Sequence, residues 1–402
     1  MPFGSLVISH NPVVSNPPGG TFDLNLYPVG IVRVDPKSYV QIIKDMAGYF
    51  SCKFDILGPE SILGELMDNG LGREVRTYNH YGVKAWEGVI TTMRMSTRSS
   101  QRVETLEQMA NKIKVRVSID RISGQQTANV ENAASQASYG IFETVEELGY
   151  LVTLKNRGDT LANILEKDLS DPHRQKEFRD KGDPNIPAGM AKLSVFCSGY
   201  YFYLTRRFYS AHVRANANTN VVISAIISNV GDFVKTSSVE TNTQQVWQRY
   251  DNDDMAWDVI VTASKTGDTS DNRFVVGMYD DRSFIYEQRV STTLPNITLI
   301  KDAQNRIFDR SSRPIAGMLL RPNTFMRNVS VANRPGKVYA DVWDDPQVTY
   351  ISTVRYTENG QKVRVQTEAQ VSSARPGSVT AFENADLDRF LRGGGGFSRG
   401  RR

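Results

Sequence analysis

The sequence predicts an α+β chain, rich in strands at both flanks and helical in its middle. Three observations carry this. Between residues 49 and 57, Phe50, Cys52, Phe54 and Ile56 alternate with Ser51, Lys53 and Asp55, the period of a half-buried strand. Residues 159–178 place Leu161, Ile164, Leu165 and Leu169 at helical spacing. Strand patterns return at 273–279 and 283–290, joined by Asp280-Asp281-Arg282, and continue through 337–371.

Taken in order, the opening residues to Gly20 are rich in Pro, Gly and Asn and end in Pro17-Pro18-Gly19-Gly20. They read as an extended arm that either lies on a neighbour or moves freely. Phe22, Leu24 and Leu26 begin the strands. A helix is expected over 59–69, with Pro59 near its start, Ile62, Leu63 and Leu66 on one side and Gly70 as terminator. Residues 74–78 then turn through 79–83 and return as 85–91, a β-hairpin in which Gly88 suggests a bulge or bend. Val115, Val117 and Ile119 mark a strand over 113–122, and residues 124–129 read as a loop. Helices are expected over 132–148, ending at Gly149, and over 159–178, where Pro172 stops or kinks the chain. A polar connector at 180–189 precedes an apolar strand over 192–207. Further helices are expected at 221–234 and 246–264.

Composition narrows the function classes. With 402 residues and 40% hydrophobic content, the chain has material for about two or three domain cores. No apolar run reaches the roughly 18 to 20 residues of a membrane helix. The first residues lack the basic lead and apolar stretch of a secretory signal. Two cysteines, Cys52 and Cys197, exclude a disulfide scaffold and read as buried thiols. The formal charge of +4 comes from 48 basic and 44 acidic residues, but five of the arginines lie in 389–402, where no acid occurs. The body is therefore near neutral, which argues against a dedicated duplex-DNA reader.

Signatures of chemistry are missing from the sequence. The four histidines, His10, His80, His173 and His212, have no zinc spacing, and neither a phosphate-cradling loop nor a nucleophile elbow occurs. Gly70-Leu71-Gly72 begins like a dinucleotide fingerprint but precedes a strand, so it reads as a helix terminator. The acidic runs at 251–254 and 344–345 fail the calcium-loop offsets and read as solvated turns or caps. The run Tyr200–Tyr209 has the aromatics and arginines of a single-strand platform, yet it reads better as a buried or interface strand. No catalytic residue, cofactor or metal is assigned. The glycine-rich, arginine-bearing end at 393–402 offers at most non-specific contact with nucleic acid.

Two motifs carry a resemblance. Gly72, Glu74, Val75 and Tyr78, followed after the turn by Trp86 and Gly88, resemble the "glycine, charged, valine, aromatic; turn; Trp-x-Gly" hairpin of phage tail hub proteins. Ser135, Tyr139, Gly140 and Glu143 are similar to the segment that opens a helix between the barrel domains of that family, and 159–169 resembles the helix after it. Together they cover about residues 70–210. The resemblance implies two tail-tube-like antiparallel β-barrel domains with inserted and flanking helices. It divides the chain into an arm (1–20), a first barrel-like domain (21–125), a helical connector (126–190), a second β-rich domain (191–371) and a C-terminal extension (372–402). It also implies a homotrimer in the virion, the baseplate or tail-tip hub, whose six similar barrels match a six-fold tail tube. Partners would be the tail tube, distal tail or baseplate and spike proteins, with the tape measure and transiting DNA touched non-specifically; no small-molecule substrate and no membrane span are implied.

Rival readings are another ring-forming tail protein, such as a tail tube, distal tail ring or neck connector, a tail-associated cell-wall hydrolase, and a nucleic-acid binder led by the arginine-rich end.

Overall fold

The fold is described from a computed structural model over residues 3–12, 24–44, 46–79, 82, 84–118, 125–148, 155–171, 177–179, 182–270 and 274–288, and then 299–301, 307–308, 325–326, 329–334, 337–338, 349–357 and 360–367. The chain divides into two compact units, Met1–Arg289 with Thr357–Asn359, and Val290–Tyr356 with Gly360–Arg402. Strands dominate, and six helices accompany them among the described residues, an α+β fold.

The first unit opens with β1 (Phe3–Pro12), β2 (Leu24–Leu26), β3 (Arg33–Lys44), β4 (Ala47–Pro59), α1 (Glu60–Asn69), β5 (Arg73–Asn79), β6 (Lys84–Ser96) and β7 (Gln101–Thr105). It continues through β8 (Lys112–Ser118), β9 (Gln125–Glu131), α2 (Ala133–Tyr139), β10 (Glu143–Leu148), α3 (Lys155–Leu169), β11 (Glu177–Arg179), β12 (Met190–Ser198) and α4 (Tyr201–Leu204). It ends with β13 (Phe208–Asn218), α5 (Thr219–Val230), β14 (Thr236–Val239), β15 (Gln245–Met255), α6 (Ala256–Lys265), β16 (Phe274–Tyr279) and β17 (Ser283–Gln288).

One main sheet organises this unit. Its strand order is β14-β17-β16-β4-β12-β6-β5-β1-β2, with β3 on β4, β7 on β6 and β11 on β7. β6 lies deep in it, and every residue from Ala85 to Thr91 is buried, as in a strand covered on both faces. β4 and β12 supply the rest of the core by alternation: Cys52, Phe54 and Ile56 face inward beside Leu193, Val195 and Cys197. Cys52 and Cys197 stand opposite one another in the β4–β12 ladder as free, buried thiols, and burial pushes both well above the ordinary thiol range.

A smaller sheet, β10-β8-β9, is covered by α3, whose Leu161, Ala162, Leu165 and Leu169 pack on Ile113, Val115 and Ala128. β13 and β15 form a separate antiparallel ribbon. α5 buries Val222, Ile223, Ile226 and Ile227, and α6 buries Trp257, Val259, Ile260 and Ala263, each an apolar stripe at helical spacing. In the second unit, β18 (Leu299–Lys301), β19 (Ile307–Phe308), β21 (Val329–Arg334) and β22 (Lys337–Val338) pair in the order β19-β18-β21-β22. There β20 (Phe325–Met326) and β24 (Gly360–Thr367) pair β23 (Thr349–Thr357).

Several expectations are corrected. Phe3–Pro12 is extended, but it is paired between β2 and β5 with Leu6 and Ile8 buried, so this part of the arm belongs to the chain's own sheet. Residues 125–129 of the expected loop over 124–129 are strand instead: they belong to β9, antiparallel to β8 over seven residue pairs. The single helix over 132–148 is a short α2 followed by β10, parallel to β8, because Gly140 turns out of the helix at φ +93. The strand over 192–207 stops at Ser198, and Phe202 and Tyr203 donate to the carbonyls of Gly199 and Tyr200 in a helical turn. Residues 245–255 are strand rather than helix, and only 256–265 are helical. The barrels implied by the resemblance are not closed: among the described residues every sheet is open. Residues 1–2, 13–23, 119–124, Pro172 and 368–402, with the glycine–arginine end, lie outside the described residues. No helix among the described residues is long and apolar enough to cross a membrane.

Candidate assembly site

Gly70 ends α1, Gly72 donates its N–H to the Ile90 carbonyl, and Arg73 starts β5, so the Gly-Leu-Gly segment is the helix terminator the sequence suggests. β5 and β6 then pair as a hairpin with Glu74 opposite Val89, Val75 opposite Gly88, Arg76 opposite Glu87 and Thr77 opposite Trp86. Val75 is buried, and Tyr78, half-buried, pairs with both Ser5 and Lys84.

Trp86 and Gly88 are two apart on one strand and therefore share a face. A Cβ at Gly88 would overlap Trp86 Cη2 and the Ser198 carbonyl oxygen. The glycine is the space the indole lies in. This replaces the bulge expected there, since the β5–β6 register shifts between Thr77 and Tyr78 and stays regular at Gly88. Trp86 is fully buried, with its ring centroid 6.2 Å from that of Tyr49, which meets Tyr279 edge-on at 5.6 Å.

Glu87, between them in sequence, is 1% exposed and anchors an ionic cluster. Lys84 Nζ lies 2.6 Å from Glu87 Oε2 and 3.6 and 3.8 Å from carboxylate oxygens of Asp280 and Asp281. Tyr200 donates its hydroxyl to Glu87 Oε1 at 2.9 Å, and the Asp281 N–H donates to Glu87 Oε2 at 3.1 Å. Glu74 pairs with Arg76, and Arg282 Nη2 stands 3.7 Å from Glu74 Oε2. Tyr49 donates its hydroxyl to Asp280 at 2.6 Å. The cluster thus ties the β5–β6 hairpin to the β16–β17 turn, about 200 residues away in sequence.

That turn is held at some strain. Asp281 and Arg282 both adopt left-handed backbone, φ +54 and +57, in the three-residue connection Asp280–Arg282, a conformation that glycine or asparagine takes more readily. Their contacts to Glu87 and Glu74 keep them there. Asp281→Gly removes a side chain that is mostly exposed and keeps the N–H, so it is expected to raise stability by about 0.5–1 kcal/mol; a shift in the urea midpoint measures this.

Burial raises the Glu74 carboxyl above the ordinary range, with Arg76 pulling it down, Glu87 pushing it up and Arg282 pulling it down. Burial works against the Lys84 charge, but Glu87, Asp280 and Asp281 outweigh it and move that group upward. The Tyr200 phenol is pushed well up by burial and by Glu74 and Glu87. A carboxyl whose folded pKa is raised contributes stability that is complete below its unfolded value and is lost as pH rises through the folded one. Wild-type stability is therefore expected to fall relative to Glu74→Gln as pH climbs from the ordinary carboxylate range, near 4.3, toward neutrality. Urea titrations at several pH values test this, and parallel profiles contradict it.

The second motif builds a different junction. Asn132 caps α2 by accepting the Ser135 N–H at 2.9 Å, and Ser135 Oγ donates to the Ser170 carbonyl at 2.6 Å. Buried Asn111 donates to Ser135 Oγ and to the Gly140 carbonyl and accepts the Phe142 N–H at 2.8 Å. Tyr139 is half-buried, its phenol raised by burial and by Asp171 and Glu104. Glu143 accepts the Phe208 N–H at 2.6 Å and pairs with Lys112 at 2.9 Å. Glu143, Lys112, Lys114, Glu131 and Tyr209 line a cleft of about 600 Å³.

The structure joins the two motifs through the aromatic run. Tyr200 touches Glu87, Tyr203 packs on Phe142 at 6.0 Å, and the Arg206 carbonyl accepts the Glu143 N–H. Arg207, nearly buried, makes a two-pronged pair with Asp232 at 2.9 Å and donates to the Val230 carbonyl at the end of α5. Tyr200, Phe202, Tyr203, Leu204, Arg207 and Tyr209 are buried, as the sequence reading favoured, but 201–204 form α4 and only Phe208 and Tyr209 belong to a strand, β13. Sequence reasoning missed Glu87, Lys84, Arg282 and Asn111; the only local hint was Glu87 inside the Trp-x-Gly motif. Among the described residues, no three His, Cys, Asp or Glu side chains are arranged to hold a metal ion.

No protein-family model and no curated protein matches the chain. Among solved structures, the chain is similar to phage tail and baseplate-type proteins. A tail protein from Neisseria meningitidis is 7% identical, with 91% of this chain and 97% of that one covered and a TM-score of 0.40. The 43 kDa tail protein of prophage MuSo2 from Shewanella oneidensis is 8% identical over 91% and 97%, with a TM-score of 0.41. An Escherichia coli component of the type VI secretion system, itself described as similar to the T4 tail proteins gp27 and gp5, is 10% identical over 87% and 78%, with a TM-score of 0.39.

Proposed function

We propose that this chain is a structural virion protein of a phage tail, the hub at the baseplate or tail tip that joins the tail tube to the spike complex. The observation that carries the reading is the hairpin of Gly72, Glu74, Val75, Tyr78, Trp86 and Gly88, whose second strand is buried from Ala85 to Thr91 inside an open, mostly antiparallel sheet. Its charged residues are spent on one another and on the β16–β17 turn, which is the arrangement of a scaffold. The hub works by burying surface against identical copies and neighbours, and it makes and breaks no covalent bonds.

In this reading the open sheets complete tube-like walls only on assembly, as a homotrimer around a channel. Side chains facing that channel are polar enough for DNA to pass without adhering. Glu143 and its neighbours in the second motif set the angle between the sheet that holds the hairpin and the helical insert. Antibody against the purified chain, applied to tail particles and viewed by electron microscopy, is expected to label the end of the tail distal to the head. Label along the shaft or at the neck would move the protein to another ring, and unlabelled tails would remove it from the virion.

A further inference from the structure

The cleft beside the second motif has no part in the assembly reading. Its floor is one face of the β10-β8-β9 sheet: Lys112 on β8 stands opposite Glu131 on β9 and Glu143 on β10, and Lys114 stands opposite Asn129. Side chains alternate across a strand, so Ile113, Val115 and Ala128 point to the other face, where α3 covers them. The far wall comes from the start of β13, Phe208 and Tyr209, and the end of α5, Asn229 and Val230. The volume, about 600 Å³, lies within the roughly 300–1,000 Å³ of small-molecule sites.

The polar groups on that floor are already fixed in place. Glu143 Oε1 lies 2.9 Å from Lys112 Nζ, Glu143 Oε2 accepts the Phe208 N–H at 2.6 Å, and Glu131 Oε1 stands 3.9 Å from Lys112 on the other side. The result is a row of acceptor, donor and acceptor across three neighbouring strands, held before any ligand arrives. The Lys112 and Glu131 side chains are 40% and 52% exposed, so each keeps bonding capacity for a ligand. Phe208 and Val230, half-buried, give the same space an apolar side.

The lining selects the chemistry of the occupant. Two lysines and two glutamates face the cleft, so their charges cancel and no net field draws in an anion or a cation. β8 is paired on both sides, by β9 and β10, so the floor presents no backbone edge for an extended peptide to join. A hydroxyl both donates and accepts, and neighbouring hydroxyls on a sugar ring stand about as far apart as Glu143 Oε1 and Lys112 Nζ. One hydroxyl then donates to the carboxylate while the next accepts from the ammonium, and the C–H face of the ring lies against the apolar side. We infer that this cleft binds a neutral saccharide, with Lys112, Glu143 and Glu131 bonding adjacent hydroxyls and Phe208 and Val230 meeting the ring face. The site stands whether or not the chain assembles into a ring.

Saturation-transfer-difference NMR of the full chain tests it, with glucose, galactose, mannose, N-acetylglucosamine, maltose and lactose as probes. Each is used at about 10 mM, where a site with a Kd near 1 mM is mostly filled. At least one is expected to bind, with an affinity that does not change between about 50 and 200 mM salt. Lys112→Met is expected to weaken it at least about 10-fold. Asn229→Trp fills the cleft from an exposed position and leaves the ion pairs intact, so it is expected to abolish binding with an unchanged thermal unfolding midpoint. Asn163→Ala, exposed on α3 across the sheet, is expected to bind like wild type. A chain that binds none of the six sugars overturns the proposal, as does one whose binding survives Asn229→Trp or is lost equally in Asn163→Ala. A stronger, salt-sensitive response to glucuronic acid or glucosamine also overturns it, since the occupant would then be charged.

Discussion

Replacing Trp86 with alanine is expected to lower stability by about 3–5 kcal/mol, the range for removing a fully buried indole. The size of the loss follows from how little the site can collapse. Trp86 lies over Gly88, so no side chain is available beneath it to fill the void. β6 is fixed on both edges by β5 and β12, and the neighbouring ring of Tyr49 is itself held, edge-on to Tyr279 and bonded to Asp280. Urea denaturation of Trp86→Ala measures the loss. Trp86→Phe, which leaves a ring in the same space, is expected to lose less than half as much.

Replacing Glu87 with alanine is expected to cost about 3 kcal/mol, because it removes the buried acceptor at the centre of an ionic cluster. The Tyr200 hydroxyl and the Asp281 N–H lose their acceptor, while Lys84, 23% exposed, regains part of its hydration. Tyr200→Phe in the same background separates the contributions: a double-mutant cycle is expected to give a coupling of about 1–2 kcal/mol. A near-neutral Glu87→Ala would mean that the β16–β17 turn keeps its left-handed residues without the hairpin's help.

Local pattern made much of this fold legible. The alternation of Phe50, Cys52, Phe54 and Ile56 gives β4, the Leu63 and Leu66 spacing gives α1, and the paired runs around 79–83 give the hairpin, since each buries one face against polar neighbours close in sequence. What local pattern could not show was pairing across distance. β10 reads Glu-Thr-Val-Glu-Glu-Leu, a composition that suits a helix, and becomes a strand only because β8, some 30 residues earlier, offers a parallel edge. β15 is polar along most of its length and is strand because β13 pairs it. The candidate site divides in the same way: the Trp86 and Gly88 spacing and the nearby Lys84 are written in the sequence, but two further partners of Glu87 come from positions 113 and 194 residues away.

The hairpin and cluster also explain why so many charged residues sit inward in a chain read as a scaffold. Ionic groups around Glu87 select one relative placement of β5–β6 and β16–β17, which fixes the neighbouring strands and hence the ends of the main sheet. In the assembly proposed above, a fixed placement of these strands matters more than surplus stability.

The most direct measurement is the native mass of the purified full-length protein across concentration. A homotrimer, or another closed set of identical copies, is the result this account predicts. A species of 45.0 kDa at every concentration, with no ring in micrographs of the same sample, would contradict it.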